Sequence, residues 1–142
     1  MQATLDDDPH SVAGYSVHLY RQGKTLFGSL AVATGSSEPA QGRLFDIEFD
    51  PSTKKLRFKA KYVTGWESSK EAGPAGREAR ELMTFAGKLT SKALAGRIVL
   101  KDGYALNQAG TKIYASMKRT DDDDRPGSLN EWAKFKHLDG GW

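Results

Sequence analysis

Histidines, paired carboxylates and tryptophans are the residues of this chain that could do chemistry. Their spacing decides which chemistry. The three histidines are His10, His18 and His137, and no two stand at metal-ligand spacing. His18 shares a strand face with Ser16 and Tyr20. As a general base it would need an acid and a nucleophile beside it, and no motif supplies them, so it reads as a surface or rim histidine. Asp46 and Glu48 resemble a glycosidase pair in type. That chemistry needs two carboxyl groups roughly 5 to 9 Å apart across a cleft, whereas basic residues on the same hairpin offer these two simple ion pairs. Asp121 to Asp124 lack the alternating acids, central glycine and terminal glutamate of a calcium loop and read as a solvated tail. "AGPAGREAR" has glycines but no lysine and hydroxyl at phosphate-loop spacing. There is no cysteine, which removes thiolate nucleophiles, disulfides and cysteine-ligated metals. The expectation is no catalytic residue, no metal and no cofactor. The enzymatic alternative is a barrel isomerase or hydrolase using His18, Tyr20 or Asp46.

Tryptophans point instead to binding. Trp66, Trp132 and Trp142 stand outside the clear strands. Tryptophans on loops or termini can anchor a partner or plug the ends of a barrel; Trp132, on a short helix that needs apolar docking, reads as a plug, and both readings stand for Trp66. Residues 63–81, "VTGWESSKEAGPAGREARE", read as a long loop rich in glycine, serine and charge, with a short helical turn over Arg77 to Glu81. Loops of this length in a compact domain tend to be functional or mobile. The candidate partner- or ligand-binding residues are therefore Trp66, Glu67, Lys70, Arg77 and Arg80.

The elements that would position these residues are mostly strands. At 142 residues the chain fits one domain with a real core. Residues 15–21 alternate Tyr15, Val17 and Leu19 against Ser16, His18 and Tyr20. After a turn at Gln22-Gly23-Lys24, residues 25–33 are apolar on both faces. "RLFDIEFDPSTKKLRFKAKY", residues 43–62, reads as a hairpin turning at Asp50-Pro51-Ser52-Thr53. Pairing Phe49 with Leu56 puts Ile47 opposite Phe58 and Phe45 opposite Ala60 on one face. It also puts Glu48 opposite Arg57 and Asp46 opposite Lys59 on the other. A second hairpin carries Met83, Phe85, Gly87 and Leu89 against Leu94, Gly96, Ile98 and Leu100. A last strand holds Ile113, Ala115 and Met117. Ser128-Leu129-Asn130-Glu131 matches a helix capping box. The fold class expected is mainly β: an antiparallel up-and-down β-barrel of about seven or eight strands with a short C-terminal helix. A two-sheet β-sandwich is the alternative. The domain plan is an acidic tail over 1–13, a barrel over 14–119, and an acidic linker and barrel-packed helix over 120–142.

Phe27-Gly28 with Leu30, the turn Asp50-Pro51, and the pairs Phe85/Gly87 and Leu94/Gly96 resemble a lipocalin-like, calycin-type small bacterial β-barrel protein. That resemblance implies binding at a barrel mouth or through the loops. The large residues Phe27, Phe45, Phe49, Phe58, Met83 and Phe85 would fill a small barrel. The leading expectation is thus a non-enzymatic module that binds and neutralises a protein partner, as an inhibitor or immunity-type protein does. A carrier of a small apolar ligand is the alternative. The net charge of +3 divides into +8 over residues 11–118 and −5 in the two ends. The basic row on residues 55–61 could face nucleic acid, but its aromatics are expected on the opposite face and its acids on the adjoining strand, which argues against that partner. No apolar run is long enough to span a bilayer. The first ten residues lack the order of a signal peptide. The compartment is periplasmic if Met1 replaces a removed signal, otherwise cytoplasmic.

Overall fold

The computed structural model describes the backbone of residues 2–5, 13–34 and 38–120, and the side chains of 14–33 and 38–118. Seven antiparallel strands follow one another in meander order: β2 (Ala13–Gln22), β3 (Thr25–Thr34), β4 (Ala40–Phe49), β5 (Lys55–Glu67), β6 (Arg77–Leu89), β7 (Ala93–Asp102) and β8 (Thr111–Thr120). They form a single sheet curled into a half-barrel, so the two-sheet sandwich does not apply. The described residues contain no helix, and the expected C-terminal helix lies outside them. Residues Gln2–Leu5 form a short strand, β1, which pairs with β2 through Ala3–Val17 and with β8 through Thr4–Lys118.

Period-two alternation explains the core. Val17, Leu30, Leu44, Leu56, Phe58, Tyr62, Met83, Phe85, Leu94, Ile98 and Met117 lose nearly all solvent contact on the concave side. Phe58 and Phe85 are cross-strand partners whose rings stack at 5.0 Å. Gly87 and Gly96 face each other across β6 and β7. A Cβ on Gly87 would lie 2.2 Å from the Ala95 carbonyl oxygen, and one on Gly96 would lie 2.4 Å from that of Ala86. The two strands therefore approach where any side chain would force them apart, which is how a sheet curves tightly.

Three expectations hold in detail. The β6–β7 ladder pairs Met83 with Leu100, Phe85 with Ile98 and Leu89 with Leu94 without a break. Ala115 and Met117 are buried and Ile113 packs against the core. Asp50 accepts hydrogen bonds from the Ser52 amide at 2.9 Å and the Ser52 hydroxyl at 2.7 Å, which hold its carboxyl below the usual carboxylate range.

The β4–β5 hairpin departs from a simple ladder. Phe49 pairs with Leu56 and Glu48 with Arg57, but Phe45 then pairs with Lys59 and Leu44 with Ala60. Asp46 and Ile47 together oppose Phe58. Asp46 adopts φ 50°, the left-handed region that aspartate tolerates better than most residues. This β-bulge reverses the facing of everything before it. Leu44, not Phe45, enters the core. Phe45 turns to the convex side, where the Lys61 ammonium lies 5.8 Å from its ring centre. The ionic partners are nevertheless those expected: Arg57 with Glu48 at 3.9 Å and Lys59 with Asp46 at 3.5 Å.

Residues 63–81 also differ from expectation. They are not one loop, and Arg77 to Glu81 are not helical. β5 runs on to Glu67 and β6 begins at Arg77, so only 68–76 connect them. Register with a long neighbouring strand outweighs local glycine and serine content here.

Candidate functional site: the end of the β5–β6 hairpin

The ladder between β5 and β6 is regular from Lys55–Lys88 to Val63–Arg80, then slips so that Trp66 pairs with Glu78 and Glu67 with Arg77. Thr64 and Gly65 form a second bulge, with Gly65 at φ 141°. By strict alternation from Tyr62, Trp66 would point inward. The extra residue turns it to the convex face, where it is 66% exposed.

Its ring is fixed despite that exposure. The indole N–H donates to the Ala75 carbonyl at 3.2 Å. Gly76, at φ +71°, passes so close that a Cβ there would lie 2.2 Å from the indole nitrogen. Only glycine satisfies both the backbone angle and the contact.

Beside the tryptophan, Glu67 and Arg77 form a hydrogen-bonded ion pair at their cross-strand position, and this pushes the arginine pKa further up. The Arg77 guanidinium lies over Tyr104, with its carbon 3.6 Å from the ring centre. Arg80 reaches the same ring at 5.1 Å and pairs with Glu78 at 3.7 Å. Tyr104 is held from both ends. Its amide donates to the Asp102 carboxylate at 2.9 Å, and its hydroxyl donates to the Glu78 carbonyl at 2.9 Å. The Gly103 amide bonds the Arg80 carbonyl at 2.8 Å, which ties the β7–β8 connection to β6.

Four of the five expected residues, Trp66, Glu67, Arg77 and Arg80, thus come together. Lys70 stands exposed on the connecting turn and takes no part in this cluster. Tyr104 escaped sequence reading: it sits nearly forty residues away from Trp66. The one available sign was the turn chemistry of Asp102-Gly103.

Below this end lies a polar pair inside the curl. The Tyr62 hydroxyl donates to Glu81 at 2.5 Å. Tyr62 is fully buried, and burial followed by its bond to Glu81 pushes its pKa well up. The phenol therefore stays protonated across ordinary pH.

The residues of the enzymatic alternative serve other contacts. His18 lies on the convex side opposite Ser29. The Tyr20 ring packs on Phe27 at 5.6 Å. Asp46 engages Lys59. A groove of about 300 Å3 lies at the Asp46 bulge, bordered by Glu48, Arg57, Lys59 and Thr84. No group of three or more potential metal ligands occurs among the described residues.

Comparison with known proteins returned no matching family model, no matching curated protein and no matching solved structure.

Proposed function

We propose that this chain is a non-enzymatic binding module, of inhibitor or immunity type, that grips a protein partner with the end of its β5–β6 hairpin. The observation that carries this reading is the fixed exposure of Trp66. A large ring 66% open to solvent and pinned by its own nitrogen loses little freedom on binding. Arginine and aromatic side chains of the kind that dominate interface energies stand beside it. Arg77 is pre-oriented by Glu67 and Tyr104, so little of its ordering would remain to be done on binding.

Closure of the meander into an eight-stranded barrel belongs to this reading. The pairing of Gln2–Leu5 with both β2 and β8 supports it. A closed, side-chain-filled barrel would give the hairpin a stiff base. Tyr62, Phe58, Phe85, Met83 and Met117 occupy the concave side, which counts against a carrier of a small apolar ligand.

The experiment is site-specific photo-crosslinking in the source cell. A benzophenone side chain at position 66 should give one discrete protein adduct. Arg77→Ala in the same chain should abolish that adduct, and a probe at Lys24, on the β2–β3 turn, should give none. Equal labelling from positions 66 and 24 would refute the assignment.

A further inference from the structure

We propose that the convex face of β5 to β8 binds single-stranded nucleic acid, on a surface distinct from the hairpin end. Residues facing one way along a strand recur about every 6.8 Å, and neighbouring strands stand about 4.8 Å apart. β5 lines one side of this face with Lys55, Arg57, Lys59 and Lys61. The adjoining column on β6 is made by Leu82, Thr84, Ala86 and Lys88, opposite Lys61, Lys59, Arg57 and Lys55. Arg97 and Lys101 rise beyond it on β7. Lys112 and Lys118 stand on β8. No carboxylate occupies the outward positions of β5 from 55 to 61, of β7 from 95 to 101, or of β8 from 112 to 118. Arg57 and Lys59 pair with Glu48 and Asp46, but all four side chains are at least 43% exposed. Such pairs are weak and exchange readily for phosphate.

Cations alone would attract any polyanion. Tyr114 narrows the choice. It is 85% exposed, lies opposite Arg97 in the register, and follows Lys112 on its own strand. The row Arg57, Ala86, Arg97, Tyr114 crosses the sheet through a small residue, which leaves room for a base to lie against the ring. The bulge at Asp46 puts a second ring, Phe45, on this face beside Lys61. Aromatic platforms set among cations that follow a backbone are the arrangement that takes single strands. A duplex keeps its base faces covered. The objection that all aromatics face away from the basic row holds for Phe58 and Phe85, and fails for Phe45 and Tyr114.

The test is fluorescence anisotropy of a dye-labelled 20-nucleotide oligo-dT with the full chain, at 50 and 200 mM salt. Binding should weaken about 50-fold between these salts if four phosphates are neutralised. Tyr114→Ala should weaken it about tenfold at both salts with the salt slope unchanged. Tyr114→Phe should retain it. The double variant Arg97→Glu with Lys112→Glu should lower the slope. Trp66→Ala should leave the affinity as it is, so this proposal and the hairpin reading fail separately. Absence of binding at 50 mM salt would overturn the proposal. So would indifference to Tyr114→Ala, which marks plain ion exchange. Equal affinity for a duplex of the same length, or for phosphatidylserine vesicles, would also overturn it.

Discussion

The β4–β5 and β6–β7 hairpins are built from similar alternating sequence, yet they behave in opposite ways. β6 and β7 pair without interruption from Glu81–Asp102 to Leu89–Leu94, and every apolar residue lands on the face that period-two counting assigns. β4 and β5 pair through a bulge at Asp46, and Phe45 changes sides. The unbroken ladder curves by removing side chains, at Gly87 and Gly96. The broken one curves by adding a residue. Both routes bend a sheet, but only the second moves an aromatic from the core face to solvent. The same device recurs at Thr64–Gly65, where it turns out Trp66. Bulges here re-aim rings, a use common beside functional surfaces.

The largest effect should come from filling the unbroken ladder. Gly96→Val would set a branched side chain against the Ala86 carbonyl and the Gly87 backbone and should cost about 3 kcal/mol in urea unfolding. A loss under about 1 kcal/mol would show that the close approach relaxes easily.

Next is the half-buried pair of Tyr62 and Glu81. Tyr62→Phe leaves Glu81 without its phenol and should cost about 1 to 3 kcal/mol. The pH dependence has a definite sign. The folded pKa of Tyr62 lies above the unfolded value of about 10, so its contribution is complete below pH 10 and is lost as pH rises past that point. Alkaline titration of stability should fall more steeply in the native chain than in Tyr62→Phe, and matching slopes would contradict the burial.

The bulge itself can be tested by a matched pair. Asp46→Val places a β-branched residue at φ 50° and should cost about 1 to 2 kcal/mol. Thr84→Val, on the regular ladder, should change stability by less than about 0.5 kcal/mol. Equal costs would mean the bulge is not strained by a branched residue. The smallest effect has the opposite sign. Lys54 closes the β4–β5 turn at φ 63°, its amide bonding the Asp50 carbonyl at 2.8 Å. Lys54→Gly should raise stability by about 1 kcal/mol, read as a higher urea midpoint at unchanged slope.

These contrasts also mark where the sequence is legible. Alternation over Met83 to Leu100 can be read directly, because burial of one face enforces register. The ionic partners of Arg57 and Lys59 could be read too, because opposite charges on adjacent strands find each other with or without a bulge. The bulge could not, since Asp46 is neither glycine nor proline and nothing local distinguishes it from an ordinary strand aspartate. At the second bulge Gly65 was a visible sign, but it sat in a stretch whose composition suggested a loop. Arg77 to Glu81 have fair helix propensity, and eleven paired positions along β5 overrode it. Trp66, Glu67, Arg77 and Arg80 were legible as a group because they flank one connection. Tyr104 was not, because its place depends on tertiary contacts between β6 and the β7–β8 connection.

β5 and β6 are each 13 residues long, while the other long strands have 10. Three surplus residues at about 3.4 Å each carry the hairpin roughly 10 Å past the rim. That overhang rests on few core contacts, so its amides should exchange with deuterium well before those of Phe58 and Phe85. Its tip, residues 68–74, is a natural cassette: other peptides could be spliced there while Ala75, Gly76 and the scaffold beneath keep their places.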